Sequence, residues 1–115
     1  MSDKNNPVDV EFLQSIVDGD LDFQKELFSI FVENAERNVK KMEDALKDKD
    51  NNAWYMSSHA FKGAAASIGA FDLSKVLEYA QKHPEDSDKV KSEIVEKVRE
   101  ELGAVLEFID LEIEK

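Results

Sequence analysis

Residues 21–47 read "LDFQKELFSIFVENAERNVKKMEDALK", and the spacing of apolar residues in this stretch decides the fold class. Phe28, Val32, Ala35, Val39, Met42 and Leu46 recur at alternating intervals of four and three. Side chains spaced in this way share one side of a helix, and such a stripe needs other helices to cover it. The stretch therefore predicts a long helix from Leu21 to Lys47 packed in a bundle, with Leu27, Ile30 and Phe31 widening the stripe near its start.

The same period extends in both directions. Upstream, Val10, Leu13 and Val17 place a short helix over Val8–Val17, punctuated by Gly19 and Asp20, and Asp20 can cap the long helix. Downstream, "KDKDNN" is a polar turn with Asp50, Asn51 or Asn52 as candidate caps. A third helix is predicted over Ala53–Ile68, stopping near Gly69. A fourth runs over Asp72–Lys82 with Leu73, Val76, Leu77 and Ala80 inward, and Pro84 forbids its continuation past His83. Ser87 can cap a last helix over Lys89–Glu114, whose stripe is Val90, Ile94, Val98, Leu102, Val105, Ile109 and Ile113. Short links between amphipathic helices imply antiparallel neighbours. The expected fold is all-α, an up-and-down antiparallel four-helix bundle with a short extra N-terminal helix, in a single domain spanning residues 1–115.

Composition narrows the function. At 115 residues the chain can build one compact core. It has no cysteine, so disulfides, thiol nucleophiles and thiolate metal sites are excluded. Its formal net charge of −11 argues against nucleic-acid binding and anionic membrane surfaces. An acidic surface also serves solubility. No long apolar run predicts a membrane span, and "MSDKNNPVD" lacks the apolar segment of a signal peptide, so a cytoplasmic protein is expected. The Met start and polar tail favour a complete domain.

Against 36% charged residues overall, "SSHAFKGAAASIGAF" (57–71) holds one histidine and one lysine, three residues apart. Helical residues advance about 100° each. With His59 as reference, Trp54, Ser57, Phe61, Ala64, Ala65 and Ile68 fall on the far side, where Trp54, Phe61 and Ile68 make a core seam. His59 then points away from the core among Tyr55, Met56, Lys62, Gly63 and Ala66. A face of such low charge is either a docking surface or a third packing surface, and periodicity does not separate the two. Gly63 favours docking. Glycine within a helix costs about 1 kcal/mol relative to alanine, and three alanines follow it directly. A glycine one turn after His59 removes a side chain beside the imidazole.

These residues resemble the signature of histidine-containing phosphotransfer (HPt) domains. His59, Lys62, Gly63, the small run Ala64–Ala66, Gly69 and Leu73 match its order. "GDLDFQKELFSIF", with Gly19, Asp20, Phe23, Leu27 and Phe31, is similar to the start of the family's long second helix. The resemblance covers about residues 8–82, and the last helix matches only in pattern. It implies that His59 carries a phosphoryl group between receiver-domain aspartates. Lys62 would compensate phosphate charge, and Gly63 would leave room for the partner. Tyr55, Met56 and Ala66 would meet receiver domains of response regulators and hybrid histidine kinases. Neutral imidazole suits the role, being a good nucleophile.

No acidic residue lies between Ala53 and Phe71, so no Mg²⁺ cluster is expected beside His59. No nucleotide-binding motif is present, so autonomous kinase activity is not expected. Magnesium is expected on the partner receiver, with no cofactor on this chain. A monomer is expected. His83, the other histidine, ends a helix and is read as a capping residue. Two further readings remain on sequence: a receiver-binding helical adaptor that carries no phosphate, and an acidic inhibitor of basic proteins. The latter explains neither His59 nor Gly63.

Overall fold

The computed structural model describes residues 6–113. They form helices α1 (Val10–Val17), α2 (Leu21–Lys47), α3 (Asn51–Ser67), α4 (Phe71–Lys82) and α5 (Asp88–Ile113), and no strand occurs among the described residues. Glu114, placed by the sequence in the last helix, lies outside them.

Caps decide where these helices begin. Asp9, Asp20 and Asp50 each accept a hydrogen bond from the backbone N–H three residues on, at 2.9–3.0 Å. Each satisfies a donor that the first turn leaves without an intrahelical partner. The Asp9 cap starts α1 two residues later than the hydrophobic pattern suggests. The Asp50 cap starts α3 two residues earlier. Ser87 Oγ accepts from the Val90 N–H at 3.3 Å, and α5 begins at Asp88.

Helix α2 packs against α3 and α5, and α4 packs against the same two. Phe28 meets Phe108 of α5 edge-on with ring centroids 6.4 Å apart, and Phe31 lies 6.5 Å from Phe61 of α3. Covering both neighbours shifts the α2 stripe from the one expected. The buried set is Gln24, Phe28, Phe31, Ala35, Val39, Met42 and Ala45. Val32 is 44% exposed and Leu46 only half-buried. Phe31 wins over Val32 because its larger ring removes more apolar area from water. Val10 is likewise exposed, while Val8, ahead of α1, is fully buried. Val76 is only half-buried on α4, and on α5 Val90 is half-buried and Ile113 exposed while Lys91 and Val95 are buried, so the α5 stripe is shifted from the one expected.

Two polar contacts tie α3 to its neighbours. Trp54 is fully buried, and its Nε1–H donates to the Ala80 carbonyl at 2.9 Å. Lys91 of α5 is only 2% exposed. Its ammonium lies 5.1 Å from the Trp54 ring centroid and donates to Asn51 Oδ1 at 2.8 Å. A buried ammonium needs such partners to offset lost hydration.

The turn after α3 fixes the direction of α4. Gly69 has φ +84°, and its carbonyl accepts from the Asp9 N–H at 2.9 Å, docking the start of α1 there. Phe12 packs edge-on against Phe71 at 4.9 Å. A Cβ on Gly69 would lie 3.1 Å from both the Asp9 carbonyl oxygen and Phe12 Cδ2. Gly69→Ala therefore combines backbone strain with a clash against main chain. It is expected to lower stability by about 1–3 kcal/mol. Chemical denaturation measures this, and an unchanged midpoint would refute the account.

Candidate functional site

The site is the outward ridge of α3. Its inward side is fixed by Trp54, Ser57, Phe61 and Ala65, all buried, with Ile68 buried just beyond the last turn. Ser57 Oγ donates back to the Ala53 carbonyl at 2.8 Å, which removes a hydroxyl from the helix packing surface. With that side anchored, His59 emerges exposed on the opposite side.

Residue types sort across the ridge. Tyr55, Lys62 and Ala66 lie toward the α4 flank, and Met56 and Gly63 toward the α2 flank. Tyr55 is exposed, with its ring 6.1 Å from the His59 ring and within 9° of parallel. Lys62 and Ala66 are half-buried, and Met56 and Gly63 are exposed. The five neighbours named from helical spacing thus surround His59 on one face. No hydrogen bond from the described residues engages either nitrogen of the His59 ring.

The space beside Gly63 is open. A Cβ built there meets nothing within 4 Å. A glycine required by a helix crossing would show a close neighbour, so packing within this chain does not account for it. On the α2 flank, Met56 and the exposed Ala60 border a cleft of about 480 Å³ between α2 and α3. Ala45 and Ala53 also line it, and Asp44 and Asp48 stand at its rim. Nothing in the sequence singles out Ala60. Its position 100° from His59 places it on neither the ridge nor the core.

On the α4 flank, Ser74 Oγ donates to the Lys62 carbonyl at 3.4 Å. A hydrogen bond from Lys82, together with its charge, lowers the Glu78 carboxyl from its ordinary value, and the Lys62 ammonium adds a smaller pull in the same direction. Lys62 therefore shares its field with a carboxylate on α4 while remaining one turn from His59. Nothing in the sequence marks Glu78, because the link crosses between helices.

His83 is placed quite differently. Its Nδ1 lies 2.8 Å from the Tyr79 carbonyl oxygen, and its ring stacks on Tyr79 at 3.9 Å. That is a helix-terminal arrangement. Among the described residues, no group of three or more His, Asp or Glu side chains is placed to hold a metal ion. No helix among them is long and apolar enough to cross a membrane.

The family model described as "Hpt domain" matches residues 26–108. The chain is also similar to the crystal structure of histidine-containing phosphotransfer protein B (HptB) from Pseudomonas aeruginosa. The TM-score is 0.84 at 21% sequence identity, over 92% of this chain and 93% of that one. Likeness at that identity is a likeness of fold. No curated protein matches the chain in sequence.

Proposed function

The chain belongs to the Hpt domain family, and from that premise we propose that it is a phosphorelay intermediate with His59 as the carrier. Family membership brings a phosphotransfer role in two-component signalling and a helical bundle fold. The observation that carries the finer reading is an exposed imidazole with neither nitrogen hydrogen-bonded by the described residues, beside an open space at Gly63.

In the proposed step, the lone pair of an unprotonated His59 nitrogen attacks the phosphorus of a receiver's phospho-aspartate. A new N–P bond forms as the P–O bond to the aspartyl carboxylate breaks, and that carboxylate leaves with the electron pair. The same step in reverse delivers the group to a second receiver. Lys62 supplies positive charge to the phosphoryl oxygens. The partner contributes the aspartate and the Mg²⁺ ion, and this chain needs no cofactor of its own. It acts as a carrier rather than a kinase.

A receiver seated on the ridge would meet Tyr55, Met56 and Ala66, with the cleft beside Met56 open to an apolar side chain. The contacts Phe28–Phe108 and Glu43–Arg99 between α2 and α5, and Trp54–Ala80 between α3 and α4, pair early with late residues. They support reading the arrangement as an up-and-down antiparallel four-helix bundle with α1 as the extra helix. We further read residues 1–115 as a single domain, monomeric and cytoplasmic.

The test compares two phosphoryl sources. Labelled ATP with Mg²⁺ alone is expected to leave the protein unlabelled, while a phosphorylated receiver domain transfers label within the same assay. Robust self-labelling from ATP would make the protein a kinase. Stable binding of phosphorylated receivers without any transfer would make it an adaptor.

A further inference from the structure

The chain has two tyrosines and two histidines, and each tyrosine stands four residues before a histidine: Tyr55 before His59, Tyr79 before His83. That interval sets the two rings one turn apart on the same helix face. The pairs nevertheless differ. Around His83 the rings stack at 3.9 Å, and the Tyr79 carbonyl oxygen engages Nδ1. Around His59 the rings are nearly parallel, 9° apart, with centroids at 6.1 Å, and the described residues supply no hydrogen bond to either nitrogen.

A nucleophile on an exposed helix face has an orientation problem. The side chain turns about two torsions, and a displacement of about 1 Å from the reactive geometry can cost on the order of a hundredfold in rate. Reactive histidines are commonly oriented by a group that hydrogen-bonds the second ring nitrogen. Lys62, the nearest charged neighbour on the ridge, is a donor only and cannot accept from an imidazole N–H. What stands beside the His59 ring is the face of Tyr55.

We propose that Tyr55 is a positioning residue for His59. Its ring flanks the imidazole, restricts rotation about the His59 side-chain torsions, and keeps a ring nitrogen facing the incoming phosphoryl group. The aromatic face does this, and the hydroxyl takes no part. The role is separate from the docking contact that Tyr55 also makes. Docking sets how tightly a receiver binds, whereas positioning sets how fast the group moves once it has bound. The proposal rests on His59 being the acceptor, so its first readout is one that needs no phosphate.

The full chain is compared with Tyr55→Phe and Tyr55→Ala, each checked by thermal melting. Tyr55 is exposed, so all three should fold alike. In proton NMR, the neighbouring ring should displace the His59 ring-proton signals in the parent and in Tyr55→Phe. In Tyr55→Ala they should move toward random-coil positions. Single-turnover transfer from a phosphorylated receiver is then followed over a range of receiver concentrations. Tyr55→Phe should stay within about twofold of the parent. Tyr55→Ala should lose about tenfold in limiting rate, over and above any weakening of half-saturation from its lost contact with the receiver.

An equal loss in Tyr55→Phe would overturn the role of the ring face. A change confined to half-saturation would leave Tyr55 a docking contact alone and overturn the positioning role. If the parent is labelled but the His59 signals do not move in Tyr55→Ala, the positioning proposal alone fails. If the parent takes no phosphate from any receiver, the acceptor reading has failed, and the positioning role falls with it whatever the ring signals show.

Discussion

His59→Gln is expected to remove all phosphoryl label delivered by a phosphorylated receiver, while His83→Gln leaves labelling at the parent level. The reason lies in what each ring can offer. A covalent carrier needs a nitrogen lone pair that can reach phosphorus, and the exposed His59 ring keeps both nitrogens clear of hydrogen bonds from the described residues. The His83 ring has Nδ1 against the Tyr79 carbonyl and one face against the Tyr79 ring. Glutamine has no comparable nucleophile, so the loss should span several orders of magnitude, as when other covalent nucleophiles are removed. Both substitutions are at exposed positions, so neither should move the melting temperature by more than a degree or two. The label should be acid-labile and base-stable, the behaviour of a phosphorus–nitrogen bond to imidazole. Label that persists in His59→Gln with those properties would place the acceptor elsewhere and remove the basis for the proposed relay.

How far the sequence reaches depends on whether a feature is local or made between helices. Asp20 and Ser87 were readable as caps because a cap is fixed by residues three apart on the same chain. At the start of α3 three cap candidates stood in a row, and only the placement of Asp50 against the Ala53 N–H separates them. The α2 stripe shows the limit of a one-helix argument. A spacing of four from Phe28 reaches Val32, and a spacing of three reaches Phe31. Both suit a helix, and the choice falls to α3, which offers Phe61 to the larger ring.

Lys91 makes the same point more strongly. Nothing in the α5 pattern marks a lysine for burial, because its partners, Asn51 and the Trp54 ring, are about forty residues away. At the candidate site the balance is more favourable to sequence. The outward direction of His59 and its five neighbours follow from the turn of a single helix. The flanks of the ridge do not. The cleft beside Met56 needs α2, and the electrostatic pull of Lys62 on Glu78 needs α4.

Gly63 links the fold to the proposed chemistry, and Gly63→Gln separates the two. The open space around it means that a longer side chain displaces nothing within the chain. Replacing glycine within a helix by a good helix former should stabilise the protein by up to about 1 kcal/mol. The variant is therefore expected to melt at or slightly above the parent temperature. Transfer should move the other way. Gly63 lies one turn beyond His59 on the α2 flank of the ridge, so a glutamine there would occupy the space through which, in the proposed relay, a receiver's aspartate approaches. Holding the two reacting groups about 1 Å too far apart is enough for a loss on the order of a hundredfold. Gly63→Ala adds one methyl to open space and should share the stabilisation with only a small loss of transfer. A graded series from Gly through Ala to Gln, in which stability rises as rate falls, is the expected signature of a glycine kept for partner access. If Gly63→Gln melts well below the parent, the residue supports packing and its side of α3 is not a free face. If it melts normally and transfers at the parent rate, the receiver approaches His59 from the α4 flank, across Lys62 and Ala66.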